Sequence, residues 1–434
     1  MHILCTNGTS IVGTLDHLPP LPLFIDYMDD GIRVMRRRVR MAIQRVSSED
    51  DELGIYHALQ LQDRVRHIHL HVSHSTLDKF LRLMNKPFPI LEHLSLSFTG
   101  DNTSLTPLKI GPLFLALNIR HLSLRSICLP KRLRLLSSTL SLVTLELTNI
   151  QACGYIRPRL LAARLESLPP LEELSIIFSI PIPRPSAEGL LLGKQGTPVI
   201  LFNLKSLTFR GVSAYLERLI SQIRAPALRT LEVILFNQLA FTLTHLSQFV
   251  NNTEQIKFRG TAAIEFHPGF SITLGRRVGS YKDLGYQGFI LRVRCKPLDW
   301  QIDCATQICA ALMSALSGIE SLTLSKSFSL SATSEADDAD YTTWPELLRS
   351  FVGVKELHMN HYFSVGLSRV LEVDEIGLDP GLLPDLQELV SDYRGNHAGS
   401  FLRSFIHARQ VAGRPVSLRL LPPPPPPSPM RQRR

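Results

Sequence analysis

Along most of the chain, apolar residues return in one short rhythm: an apolar residue, two variable positions, an apolar residue, one variable position, an apolar residue. It reads Leu91-Leu94-Leu96, then Ile119-Leu122-Leu124, Leu142-Leu145-Leu147, Leu171-Leu174-Ile176, Leu204-Leu207-Phe209 and Leu228-Leu231-Val233. Later copies are Ile319-Leu322-Leu324, Val354-Leu357-Met359 and, without its third member, Leu386-Leu389-Ser391. A first copy lies at Val65-Ile68-Leu70, and weaker ones at Thr253-Ile256-Phe258 and Gly288-Leu291-Val293. Side chains alternate along a strand, so the fourth and sixth positions of each copy share one face, and each copy predicts a short strand. Between copies the period changes to that of a helix. Ser213 precedes Leu216, Leu219, Ile220 and Ile223 as an expected N-cap, and Ser75 to Met84 carries Leu77, Phe80, Leu81 and Met84. Thr343-Trp344-Pro345 reads as a cap with proline in the first turn, and a last helix runs from Phe401 to a stop at Gly413-Arg414-Pro415.

One strand with one apolar face cannot bury itself, whereas a stack of such strands can. Self-similarity at a period of 20 to 50 residues signals a stacked array, and this phrase is the strand signature of a leucine-rich repeat. The expected fold is therefore α/β: a leucine-rich-repeat-like solenoid, an irregular horseshoe with parallel strands on one face and helices on the other. The expected organisation is an irregular, basic helical segment over residues 1–60, the degenerate array over 61–420, and a disordered polyproline and basic tail over 421–434. Within the array, residues 179–200 and the acidic stretch Ser329 to Tyr341 interrupt the rhythm.

Composition narrows the class. The chain has 434 residues, 44% hydrophobic and 20% charged, enough for a large core. No apolar run approaches the length of a membrane span, and the first residues lack a secretory pattern, so no membrane association is expected and the cytoplasm or nucleus is the expected location. Six scattered cysteines without a CxxC pair read as reduced, partly buried thiols. The formal net charge is +9. Much of that excess sits in Arg33, Arg36, Arg37, Arg38 and Arg40, with Met35, Val39, Ala42, Ile43 and Val46 near one face of a basic amphipathic helix. An exposed face, a nuclear-import patch and an anionic contact are the open readings of that cluster. Nucleic-acid binding is not expected, because aromatic residues do not interleave with the arginines. The run Pro422 to Pro427 reads as a disordered tail or as an extended ligand for proline-binding modules.

Sequence motifs for phosphate loops, dinucleotide folds, zinc peptidases and nucleophile elbows are missing, so no enzyme activity and no cofactor are expected. His67, His69 and His71 fall on one face of the first predicted strand, and His93 and His121 occupy the slot of His67 on the next two. Imidazoles so placed suit zinc, copper or a pH response. No carboxylate or cysteine sits at ligand spacing in those strands, so no metal site is assigned.

The irregular copies, with DELGIYHALQLQDRVRHIHL, LPPLEELSI and SFVGVKELHM, resemble fungal (basidiomycete-type) F-box proteins whose C-terminal part is a degenerate leucine-rich-repeat array. The resemblance covers roughly residues 15 to 420. It implies a substrate-recognition subunit of an SCF-type ubiquitin ligase, in which an F-box holds a Skp-type adaptor and the repeats hold the target. This chain shows no Leu-Pro-x-Glu opening and no three-helix F-box pattern, so adaptor binding is expected only if an F-box lies upstream. The regular Asn or Cys after the phrase is replaced by Thr99, Ile127, Ile150, Ser179 and Val212. The expected function is a monomeric, non-enzymatic protein-binding module. The alternatives are a scaffold without a ligase link and, further off, a metal-binding or hydrolytic protein. The expected contact row is the fifth position of each strand, from His69, Ser95, Ser123, Glu146, Ser175 and Thr208 through Glu232, Lys257, Arg292, Thr323 and His358. The seventh position adds Arg125, Arg210, Arg259 and Arg294.

Overall fold

Each strong copy of the phrase forms a strand in the computed structural model. The structure describes residues 2–7, 19–28, 49–84, 86–99, 118–127, 136, 139–181, 197–238, 240–256, 260–266, 269–278, 285–295, 298–326, 343–360, 363, 382–392 and 402–421. The arginine cluster from Arg33 to Arg40, the core of the 179–200 insertion, the acidic stretch and the polyproline run lie outside these residues. The chain is a mixed α/β protein with large, mostly parallel sheet, and it divides into two compact units, Met1–Arg229 and Thr230–Arg434.

The first unit carries β1 (Ile3–Thr6), β2 (Leu23–Met28), β3 (Val65–Ser73), β4 (His93–Thr99), β5 (His121–Arg125), β6 (Thr144–Ile150), β7 (Glu173–Phe178), β8 (Val199–Ile200), β9 (Ser206–Gly211) and β10 (Ile223–Arg224). Its sheet runs β1-β2-β3-β4-β5-β6-β7-β9, every pair parallel, while β8 and β10 pair separately. Among the described residues four helices accompany it: α1 (Glu49–Gln60), α2 (His74–Leu83), α3 (Pro158–Leu165) and α4 (Ser213–Ile220). Within the segment expected to be irregular and helical over residues 1–60, β1 and β2 join the sheet. Leu23, Ile25 and Tyr27 are buried and Phe24, Asp26 and Met28 face outward, so β2 follows period-two alternation without the repeat phrase.

From β3 to β9 the fourth positions pair in register as Ile68, Leu94, Leu122, Leu145, Leu174 and Leu207. All six are at most 2% exposed. Inward aromatic side chains meet the helices: Tyr27 packs edge-on against Phe80 of α2, and Phe178 and Phe209 enclose Tyr215 of α4. Ser73 caps α2, its hydroxyl accepting from the Thr76 N–H at 3.2 Å. At α4 the expected cap moves by one residue: Val212 is the N-cap, Ser213 begins the helix, and Ile223 belongs to β10.

The second positions of the phrase hold the register from outside. Arg66 pairs with Glu92 at 2.9 Å and Lys205 with Glu172 at 2.7 Å, each across one strand step. Exposed pairs of this kind add roughly 0–1 kcal/mol each, so they select the register more than they stabilise the sheet. Asn118 and Asn203, one residue ahead of their copies, donate to the carbonyls of Pro89 and Pro169 at 2.6 and 2.9 Å. These asparagines tie turn to turn at a place different from the regular repeat's. Between Leu147 and Ile150 the β6–β7 register slips. Asn149 sits there at φ 56°, a left-handed conformation asparagine tolerates, and its amide donates to the Ser126 hydroxyl.

The second unit departs from the expected all-parallel stack. Its strands are β11 (Thr230–Leu235), β12 (Gly260–Phe266), β13 (Phe270–Val278), β14 (Gly285–Val293), β15 (Ile319–Lys326), β16 (Glu356–Met359), β17 (Glu388–Asp392) and β18 (Ser417–Leu421). The order is β11-β14-β13-β12-β15-β16-β17-β18, and β13 runs antiparallel to both neighbours. A meander is thus folded into the array where the phrase is weakest. The copy expected at Thr253-Ile256-Phe258 is not a strand: Thr253 and Ile256 lie at the end of a helix and in a turn, and the strand begins at Gly260. The copy at Gly288 lies on a strand, but the pair facing Leu231 and Val233 is Phe289 and Leu291, two residues earlier than expected. Gly269 forms the β12–β13 turn, where a Cβ would stand 2.4 Å from the Val293 carbonyl oxygen. The helices are α5 (Thr244–Asn252), α6 (Leu298–Ala311), α7 (Met313–Leu316), α8 (Trp344–Leu348) and α9 (Arg403–Val411). Thr343 is the N-cap of α8 as expected, without a side-chain capping bond, and Gly413 ends the last helix at φ 75°. Trp344 is fully buried between Phe266 and Phe363.

The cysteine reading holds in part. Cys5, Cys295, Cys304 and Cys309 are free and buried, but Cys153, exposed in the turn Ala152–Gly154, is disulfide-bonded.

Truncating the spine gives the first prediction. Leu122→Ala or Leu174→Ala should each destabilise the protein by about 2–5 kcal/mol in urea unfolding, the range for a buried leucine. Ser175→Ala, outward on the same strand as Leu174, should stay within about 0.5 kcal/mol. Equal effects at the inward and outward positions would contradict the assigned faces.

Candidate functional site

The outward face of the first unit's sheet gathers the chemistry. Side chains at the third, fifth and seventh positions stand there in rows, one strand apart. The third-position row is His67, His93, His121, Thr144, Glu173 and Ser206, and the fifth is His69, Ser95, Ser123, Glu146, Ser175 and Thr208. The seventh row places Arg125 between Ser97 and Thr148.

The histidines form a ladder of rings. His67 and His93 have centroids 5.0 Å apart, and His93 stacks on His121 at 4.1 Å with planes within 10°. The ladder continues beyond the repeats: Phe24 of β2 stacks on His67 at 5.6 Å, and His2 lies 4.2 Å from Phe24. His69 approaches Asp26 at 3.1 Å, and His121 Nδ1 lies 3.1 Å from the Thr144 hydroxyl. His71 Nδ1 lies 2.5 Å from the Ser97 hydroxyl, which in turn donates to the Leu70 carbonyl at 3.3 Å. Phe24, Asp26 and His2 escape a search for the repeat phrase, because β1 and β2 do not carry it. The signal that finds Phe24 and Asp26 is the alternation in LFIDYM; no such signal marks His2.

Burial lowers the pKa of His67, helped by His69 and His121 and opposed by Asp26. Burial also lowers that of His93, helped by His121, His67 and Arg66 and opposed by Glu92. Neutral imidazoles are therefore the favoured state of His67 and His93. Among the described residues, no group of three or more His, Cys, Asp or Glu is placed to hold a metal ion.

The other expected contact residues divide. His69 and Glu146 face outward as expected, each with a partner: Asp26 for the first, the Ser123 hydroxyl at 2.9 Å for the second. Arg125 is exposed at the end of β5, and Arg210 is half-buried beside Ile177. In the second unit Glu232 and Arg292 form an ion pair with each other, so neither is an open anchor. Arg292 stands opposite Ile234, two residues further along than the fifth-position row requires. The row there runs instead through Ile290, Thr273, Ala263, Thr323, His358 and Val390. Arg294 is exposed just after β14, while Lys257 and Arg259 lie outside the described residues. The basic cluster Arg33, Arg36, Arg37, Arg38 and Arg40 lies outside them too.

No family model matches the chain, and no curated protein matches it. No helix among the described residues is long and apolar enough to cross a membrane.

The lowered histidines give a signed prediction. Their neutral forms are favoured on folding, so the unfolded chain binds more protons below the ordinary histidine pKa near 6.5. The associated stability is complete above that pH and is lost as pH falls towards the folded values. The melting temperature should drop between pH 7.5 and 5.5. The double variant His67→Phe, His93→Phe, which keeps the ring stack, should drop less. An equal drop in both proteins would remove the ladder from the account of acid sensitivity.

Proposed function

We propose that this chain is a non-enzymatic protein-binding module, built as an irregular leucine-rich-repeat solenoid, that holds a polypeptide partner on its outward sheet face. The observation that carries the reading is the unshifted register from β3 to β6. It delivers rows of imidazole, hydroxyl, carboxylate and guanidinium groups at strand pitch. A face mixing donors, acceptors and both charges suits a polypeptide, whose side chains and main chain vary along its length. A nucleic-acid backbone calls for a sustained basic track, and these rows alternate instead.

The resemblance to F-box proteins points further, to a substrate-recognition subunit related to SCF-type ubiquitin-ligase receptors. In that role the sheet face holds the protein to be ubiquitinated, and a Skp-type adaptor joins through an F-box. The alternative is a cytoplasmic or nuclear scaffold with no ligase connection. Arg125 is the strongest anchor of the first unit's face, because it is exposed and a guanidinium grips carboxylates in two-point fashion.

Affinity capture with the 434-residue chain, scored by mass spectrometry, separates these outcomes. The triple variant His69→Ser, Arg125→Ser, Glu146→Ser should lose captured partners by about tenfold or more, since interface anchors exceed 1 kcal/mol each. Circular dichroism should be unchanged. Recovery of a cullin and an adaptor supports the ligase role; specific partners without them support the scaffold. Full retention by the triple variant would move binding off this face, to the 179–200 insertion or elsewhere.

A further inference from the structure

We propose that the imidazole ladder is a binding site for a divalent transition-metal ion of the zinc, copper and nickel class, held by His93 together with one neighbouring imidazole, His67 or His121. The inference does not depend on the protein-binding reading.

Three imidazoles on adjacent parallel strands are brought ring to ring at 5.0 and 4.1 Å by backbone register alone. Two nitrogens that share a tetrahedral ion at about 2.0–2.1 Å stand roughly 3.3 Å apart. The ring centroids stand 5.0 and 4.1 Å apart, and the gap between their nitrogens is set by how the rings turn. The torsion that closes the gap is χ2 of histidine, which is broad and soft.

Chemistry points the same way. Imidazole is the preferred side-chain ligand for zinc, copper and nickel. A ligating imidazole commonly has its second nitrogen engaged by a neighbour, which fixes the tautomer and the ring. His121 has this arrangement: Nδ1 lies 3.1 Å from the Thr144 hydroxyl, leaving Nε2 for an ion. No described residue hydrogen-bonds a ring nitrogen of His67 or His93, so both rings keep free lone pairs on a partly exposed face. Asp26, beside His69, puts negative charge near His67, while the charge of Glu92 near His93 is offset by Arg66. Asp26 lowers the electrostatic penalty of a dication at the His67 end. Two protein ligands leave the remaining coordination positions to water or to a ligand from outside, so the site is open.

His93 is the member common to both pairs, and this makes the idea testable on the whole chain. Calorimetric titration with zinc chloride, and with copper(II) sulfate followed by electron paramagnetic resonance, reads affinity and nitrogen ligation. The wild type should bind one ion of each, with imidazole nitrogens seen in the copper spectrum. His93→Phe, which retains a stacking ring, should weaken this binding by roughly tenfold or more, since loss of even an outer-shell partner costs 10- to 100-fold. The double variant His67→Phe, His121→Phe leaves His93 without a neighbour and should match it; it serves as the test if His93→Phe does not fold. Either single change at His67 or His121 should weaken binding less than His93→Phe. Unchanged affinity in both the His93 variant and the double variant would overturn the proposal. So would a wild-type chain that binds no better than they do.

Discussion

Everything in this protein depends on parallel pairing of strands that cannot stand alone. Each copy of the phrase offers two buried side chains on one face, far too little to offset the entropy of ordering a unit of some 30 residues. Only when Leu94 lies beside Leu122, and Leu122 beside Leu145, does a core exist. That lateral demand explains why the apolar spacing is kept strictly while everything between copies varies. It also explains the outward face: pairing that aligns the spine must align the outward residues as well. The histidine ladder is a by-product of the same register that buries the leucines.

Much of the fold was legible because the phrase is a direct image of this constraint. The strong copies became strands with their fourth and sixth positions inside. Legibility failed where burial was achieved in another way. β1 and β2 bury Cys5, Leu23, Ile25 and Tyr27 by plain alternation and so carry no phrase. In the meander, β13 is paired on both sides, and antiparallel pairing satisfies its backbone without a repeat unit. A glycine-bearing pair, Gly275 opposite Gly288, lets those strands take extended shapes that the repeat rhythm does not describe.

The candidate site was legible to the same degree as its strands. His67, His69, His93 and His121 could be aligned from sequence, since each sits at a fixed offset from a strong copy. Their companions could not. Asp26 and Phe24 lie about 40 residues upstream on β2, and nothing in periodicity tells which strand will pair with β3. The arginines show the opposite failure. Arg292 was aligned through a weak copy, and a shift of two residues was enough to take it from the expected row and pair it with Glu232.

The interleaved order of the second unit bears on how the chain reaches its fold. In the first unit a typical contact between neighbouring strands, such as His121 with Thr144, closes over 23 residues. In the second, Arg292 reaches Glu232 over 60, because β14 returns to lie beside β11 and β12 is left to meet β15. Long loops must close before any of these pairings is rewarded, and non-local topology slows folding. Rungs of the first unit can be added to a growing edge one at a time. The three meander strands have no such edge, because β13 completes its pairing only when both neighbours are present.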